Sequence, residues 1–122
     1  MPVITVKVRQ GRTPEQKHAL MTAIRDALFE AFQKKDSLYV WLEEYDAGRC
    51  LLPGDEENCI IVQAFCFAGR CQCKKDAFYR LAAEKLEAAG EKTHNLVMVL
   101  SDPPLGDWGI AGKSAVDLLG GR

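Results

Sequence analysis

Shifting the chain by 58 positions lays Gly11-Arg12 on Gly69-Arg70, Lys17 on Lys75, Ala19 on Ala77, Leu28 on Leu86 and Ala31 on Ala89. An internal period constrains architecture more than composition does, because each copy must form one supersecondary unit and the copies must bury their apolar faces together.

In the first copy, residues 3 to 9 alternate apolar and polar side chains, the pattern of a half-buried strand. Gly11 allows a turn, Thr13 caps, Pro14 suits the first helical position and Gln16 completes a Thr-x-x-Gln capping box. Ala19, Leu20, Ala23, Ile24, Ala27, Leu28, Ala31 and Phe32 then form one helical stripe. Lys34-Lys35 are expected near its end, where cations suit the helix dipole. Leu38 to Tyr45 read as a second strand.

The second copy opens with the apolar run Cys59 to Phe67, expected as a strand buried on both faces. Ala77, Phe78, Leu81, Ala82, Leu86 and Ala89 mark another helix, which Gly90 ends. Leu96 to Leu100 form the fourth strand, stopped by Asp102-Pro103-Pro104. The chain is thus one domain: unit one at 2–45, a polar connector at 46–58, unit two at 59–100 and a tail at 101–122.

Strand, helix, strand at this length is a right-handed crossover with parallel strands. Two such units give an α/β fold, an α+β sandwich with a four-stranded sheet and two helices on one face. The other face, carrying Tyr39, Trp41 and Phe65, has no helix to cover it and is expected to be closed by other subunits.

A formal net charge of −1 with interspersed signs offers no basic stripe for nucleic acid. No apolar run approaches the length of a membrane span and no cationic, apolar leader is visible, so a cytoplasmic protein with no membrane partner is expected. The five cysteines are odd in number and are expected as reduced thiols. Cys66, Cys71 and Cys73 lack the two-residue spacing of a zinc knuckle, so neither a metal nor a cofactor is called for.

Pro2 begins the first strand. Once Met1 is removed, it presents a secondary amine able to take or give a proton near neutral pH if its surroundings lower its pKa. Pro2 through Val6, Gly11-Arg12-Thr13, the duplicated unit, and the tail Pro103-Pro104-Leu105-Gly106-Asp107-Trp108-Gly109 together resemble the tautomerase superfamily, whose founding activity is 4-oxalocrotonate tautomerase. The layout is similar to that of fused, two-unit members such as the malonate semialdehyde decarboxylases and cis-3-chloroacrylic acid dehalogenases, which are trimers. The resemblance implies an enzyme without cofactor, a homotrimer, and a proline nitrogen acting as acid or base beside an arginine that holds a substrate carboxylate.

Arg70 is the arginine that the resemblance pairs with Pro2, and it also stands just before a helix, where free N–H groups favour an anion. The position matching Pro2 in the second copy is Ile60, in mid-chain without a free amine, so one site per chain is the most this fold can make and Arg12 faces a dead counterpart. Arg12 is a secondary catalytic candidate and equally a solvated charge at a helix start. Tyr39 is a candidate donor to an enolate. Trp108 and Trp41 are candidate apolar walls, Trp41 serving interface packing as readily. Asp36 lies near the acidic residue that the decarboxylases use, and as readily reads as a loop charge. Those members carry a second arginine two or three residues earlier; here Phe67-Ala68-Gly69 precede Arg70. Cys71 takes the capping position that Thr13 holds in the first copy, where a free thiol would be readily ionised.

These residues suit a keto-enol tautomerase acting on a 2-oxo acid, enol or unsaturated carboxylate with Pro2 as general base. Two readings stay open beside it: a decarboxylase or hydratase using protonated Pro2, and a non-catalytic oligomeric α/β module.

Overall fold

The alternation at the start of the chain becomes β1 (Val3–Arg9), whose residues Ile4, Val6 and Val8 are buried while those between them face the other way. The computed structural model describes residues 2–35, 37–54 and 58–119. Met1 and Asp36 lie outside the described residues, so the sequence expectation for Asp36 has no structural counterpart here.

Helix α1 (Pro14–Phe32) starts on the anticipated capping box: Gln16 N–H donates to Thr13 Oγ1 at 3.2 Å, and Thr13 N–H donates to Gln16 Oε1 at 2.9 Å. It ends earlier than the lysine pair suggested. Gln33 takes a left-handed conformation (φ 55°) and closes the helix, which leaves Lys34 and Lys35 beyond its last turn. The chain returns as β2 (Tyr39–Tyr45), parallel to β1.

In the second unit, β3 (Ile60–Phe65) is shorter than the apolar run and alternates in burial instead of being enclosed on both sides. Its continuous hydrophobicity serves two different faces: Ile60, Val62 and Ala64 enter the core, and Phe65 looks out with 43% of its surface exposed. Helix α2 (Gln72–Ala88) begins before its apolar stripe because Cys71 caps it, accepting from the Lys74 N–H at 3.4 Å. It ends where Gly90 (φ 92°) permits paired bonds from Gly90 N–H to Glu87 O and from Glu91 N–H to Leu86 O. Then β4 (Leu96–Ser101) runs parallel to β3.

The sheet order is β2-β1-β3-β4, with the central pair antiparallel and Val6 opposite Val62. Each unit is a parallel crossover, and the antiparallel seam relates the two copies by a local twofold. Ion pairs obey the same relation: Lys17 to Glu44 at 2.8 Å in the first copy, Lys75 to Asp102 at 3.0 Å in the second. Both helices pack on one face of the sheet over Ile4, Val6, Ile60 and Val62, and Leu20, Ile24, Phe78 and Leu86 are fully enclosed there. Each such side chain contributes about 1.5–3 kcal/mol by leaving water. The opposite face is open as expected, with Tyr39, Trp41, Phe65, Val97 and Val99 all exposed, Trp41 by 63%.

Two features lay beyond the sequence reading. After β4 the tail folds into a short 3-10 turn (Leu105–Asp107), a hairpin of β5 (Gly109–Ile110) and β6 (Lys113–Ser114), and a four-residue helix α3 (Ala115–Leu118). The hairpin turns on Ala111 and Gly112, both at positive φ. The second is a correction: Cys71 and Cys73 are joined in a disulfide, while Cys50, Cys59 and Cys66 are free thiols. Their Cα atoms lie 5.3 Å apart at the start of α2, within bridging range, and the odd total leaves the other three thiols unaffected. Among the described residues no helix is long and apolar enough to cross a membrane.

Candidate active site

Pro2 is buried, and its carbonyl accepts from the Tyr39 N–H at 3.0 Å, which anchors the start of β1 to β2. The antiparallel register that sets Val3 opposite Phe65 continues outward to put Pro2 across from Cys66. Cys66 is itself enclosed, and its N–H donates to Ser101 O at the end of β4. The amino end of β1 and the carboxyl ends of β3 and β4 therefore meet at one end of the sheet.

Arg70 belongs to this end. Its Nη1 donates to Phe67 O at 3.0 Å and its guanidinium lies over the Phe32 ring, 4.5 Å from the centroid. Burial pushes the Cys66 thiol up, and the nearby Arg70 cation opposes that shift; Asp102 adds to it and Lys75 opposes it. The residue facing Pro2 thus lies in the electrostatic reach of Arg70. Lys75, by contrast, is paired to Asp102 at 3.0 Å, and that hydrogen bond pushes its ammonium above its ordinary value. Beside them, a cavity of about 380 Å³ is lined by Val3, Phe65, Pro103, Asp107 and Trp108. Trp108 packs edge-on against Phe67, ring centroids 5.0 Å apart, and is held by its Nε1–H donating to Pro103 O at 3.2 Å.

The remaining candidates divide by position. Tyr39 pairs with Val3 at the Pro2 end and is 48% exposed on the open face. Trp41 pairs with Thr5, two residues further along the same face. Arg12 lies past the far end of β1, whose 7 residues at about 3.3 Å each separate the two ends by roughly 20 Å. There it donates to both carboxylate oxygens of Glu91, at 2.8 and 3.0 Å, in a cavity of about 390 Å³ that the two residues help to line. Three residues of the Pro2 end escaped the sequence reading: Cys66, Phe67 and Asp102. The first two sit in the run Phe65-Cys66-Phe67, where only the antiparallel pairing of β1 with β3 tells which position meets Pro2. Among the described residues no group of three or more His, Cys, Asp or Glu side chains is gathered to hold a metal.

A duplicated β-α-β sandwich that brings Pro2 and Arg70 to one end of its sheet defines a small α/β domain of two fused units. Two family models, each described as "Tautomerase enzyme", match residues 2–55 and 37–111, the second more than half of the chain. The chain belongs to the tautomerase enzymes. A curated relative, "Probable tautomerase BH3814" from Halalkalibacterium halodurans, is 42% identical over 45 residues, covering 36% of this chain and 74% of that protein. Among solved structures, the "Q0 fused 4-OT wild type symmetric trimer" superposes with a TM-score of 0.83 at 29% identity over 98% of this chain and 99% of its own. The "F6 fused 4-OT wild type asymmetric trimer" reaches 0.85 at 26% identity with the same coverage. A malonate semialdehyde decarboxylase shares the fold at a TM-score of 0.83, with 20% identity over 98% of both chains.

Proposed function

We propose that this protein is a keto-enol tautomerase for a small carboxylate substrate, in which Pro2, freed of Met1, is the general base and Arg70 the carboxylate anchor. The observation that supports the reading is that buried Pro2 and Arg70 lie at one end of the sheet, both near Cys66: an amine freed there, close to a guanidinium, is disfavoured in its protonated form. A proline amine must fall by about two to three units to be a free base at neutral pH, at about 1.4 kcal/mol per unit. Burial beside a fixed cation supplies shifts of that size.

With the substrate carboxylate on Arg70, the Pro2 nitrogen takes the proton from the enol hydroxyl and returns it to the carbon that becomes saturated, so the amine ends as it began. Tyr39, at the same end of the sheet, is the candidate donor to the developing oxyanion. Phe67 and Trp108 form an aromatic wall beside the cavity, which favours a substrate with one carboxylate and an apolar body, the enol of an aryl-substituted 2-oxo acid. Self-association through the open sheet face into a homotrimer completes the proposal, on the exposed apolar row Trp41, Phe65, Val97 and Val99 and the trimeric state of the fused relatives.

The test is the ketonisation rate of enol phenylpyruvate with protein whose mass shows Met1 removed, set against the same protein retaining Met1, in which the Pro2 nitrogen is an amide and cannot act as a base. A loss of about a hundredfold to ten-thousandfold is expected for a missing general base. Equal rates would remove Pro2 from the chemistry and the reading with it.

A further inference from the structure

The Cys71–Cys73 disulfide has no part in the chemistry above, yet it stands beside the proposed anchor. Both residues are exposed, Cys71 directly follows Arg70, and Cys71 Sγ already accepts the Lys74 N–H at 3.4 Å as the cap of the 17-residue helix α2. The two sulfurs are therefore open to solvent but differ in surroundings: one faces the free N–H groups and positive dipole end of a helix, and the other lies within its first turn. The three remaining thiols, Cys50, Cys59 and Cys66, are partly or fully buried.

We propose that Cys71 and Cys73 form a thiol-exchange site whose reactant is a low-molecular-weight thiol, and that its redox state sets how firmly Arg70 holds a carboxylate. A thiolate attacks whichever disulfide sulfur lets the better leaving group depart, and the better leaving group is the sulfur best stabilised as an anion. Cys71 meets that condition, because a charge-assisted bond from the Lys74 N–H and the end of α2 favour its thiolate. The incoming thiolate bonds to Cys73 Sγ, the Sγ–Sγ bond breaks, and its electron pair leaves on Cys71. A second small thiolate then attacks the small-thiol sulfur of the mixed disulfide, releasing Cys73 as a thiolate that takes up a proton from water. In sum, two small thiols are oxidised to their disulfide and the protein disulfide is reduced to two cysteines; the small disulfide reverses the sequence.

Reduction leaves a negative charge on Cys71 next in sequence to Arg70. That charge competes with a substrate carboxylate for the same positive region, so the reduced protein binds substrate less tightly than the bridged one. This second half rests on the function proposed above; the exchange chemistry does not.

The full chain is incubated with reduced glutathione at neutral pH, quenched with acid, alkylated and mapped by fragmentation mass spectrometry. The expected result is a glutathione adduct on Cys73 with Cys71 alkylated, then alkylation of both in excess thiol, reversed by oxidised glutathione. A bridge that survives excess glutathione, or an adduct confined to Cys71 or to the buried thiols, overturns the exchange site. For the coupling, Cys73→Ser keeps the Cys71 thiolate and Cys71→Ser keeps only a neutral cap, so KM for enol phenylpyruvate is expected to be several-fold higher in Cys73→Ser with kcat unchanged. Equal KM values overturn the coupling. If neither variant nor wild type ketonises the enol, the proposed function fails while the mapping result still decides the exchange site.

Discussion

Arg12 and Glu91 hold each other by two hydrogen bonds, 2.8 and 3.0 Å long, and tie the start of α1 to the segment that follows α2. Both side chains are largely enclosed, with 12% and 13% of their surfaces exposed. The 58-residue shift that places Arg12 on Arg70 places Glu91 on Gln33, so the matching position in the other half carries no charge. The duplicated arginines therefore differ in their surroundings: Arg12 is paired with a carboxylate of its own chain, and the equivalent position for Arg70 is a neutral glutamine.

Arg12→Ala strips Glu91 of its partner and is expected to destabilise the fold by about 1–4 kcal/mol, between the values for exposed and buried pairs. Ketonisation per folded molecule should not change. Removing both residues should restore part of the loss, because the orphaned carboxylate goes too. Urea unfolding midpoints of the two single variants and the double variant, with rates on each, check this; an Arg12→Ala protein of normal stability and reduced kcat would reassign the residue to the chemistry.

If Arg70 is left unneutralised because position 33 is Gln33, then Gln33→Glu should copy the Arg12–Glu91 arrangement at the proposed active end. A carboxylate there competes with substrate, and KM should rise while kcat changes little. Arg70→Ala should cost about 1.5–3 kcal/mol of transition-state binding, the worth of hydrogen bonds to a charged partner, or roughly ten- to a hundredfold in kcat/KM. It also removes the contact with the Phe32 ring. Steady-state kinetics on both variants decide the matter; an unaltered KM in each would show that no carboxylate binds at Arg70.

Much of this was legible in the sequence, for identifiable reasons. The capping box at Thr13 and Gln16, the crossover units and the open face all follow from local patterns that the tertiary fold had no cause to override. The two-sided burial expected for Cys59 to Phe67 did not follow, because an apolar face left open and a face packed on a core are equally apolar in sequence. Likewise Cys66 carries no mark of its position. Its standing opposite Pro2 depends on an antiparallel register between segments far apart in the chain. The Cys71–Cys73 bridge was hidden by an argument from the odd cysteine count, which says nothing about any one pair.

Alkaline stability should report the Lys75–Asp102 pair. The hydrogen bond to Asp102 raises Lys75 above its ordinary 10.5, so the folded chain holds that proton more tightly than the unfolded chain does. The resulting stabilisation is fully present below 10.5 and drains away as the pH climbs through the folded value. Tyr45, raised from 10.0 chiefly by donating to Glu43, has the same sign and is separated by Tyr45→Phe. Lys75→Met should flatten the alkaline slope of the urea midpoint that remains in the Tyr45→Phe background. An unaltered slope would mean that the pair persists equally in the unfolded chain.

Trp41 offers the sharpest test of self-association. It stands on the open face at 63% exposure, on β2, which is one edge of the sheet, and its partner in register is Thr5, so the described residues leave most of the indole uncovered. The core lies on the opposite face, under α1 and α2. A charge at position 41 should therefore leave the fold intact while opposing burial against another copy. Aromatic anchors of this kind are commonly worth 2 kcal/mol or more per interface when truncated, and a buried unpaired carboxylate adds a further desolvation cost. Trp41→Glu is expected to sediment as a monomer at micromolar concentration with an unchanged circular dichroism spectrum, and the wild type is expected to sediment as a trimer. A wild-type monomer, or a variant that stays trimeric, would mean that some other surface meets the partner and that the open face serves a different end.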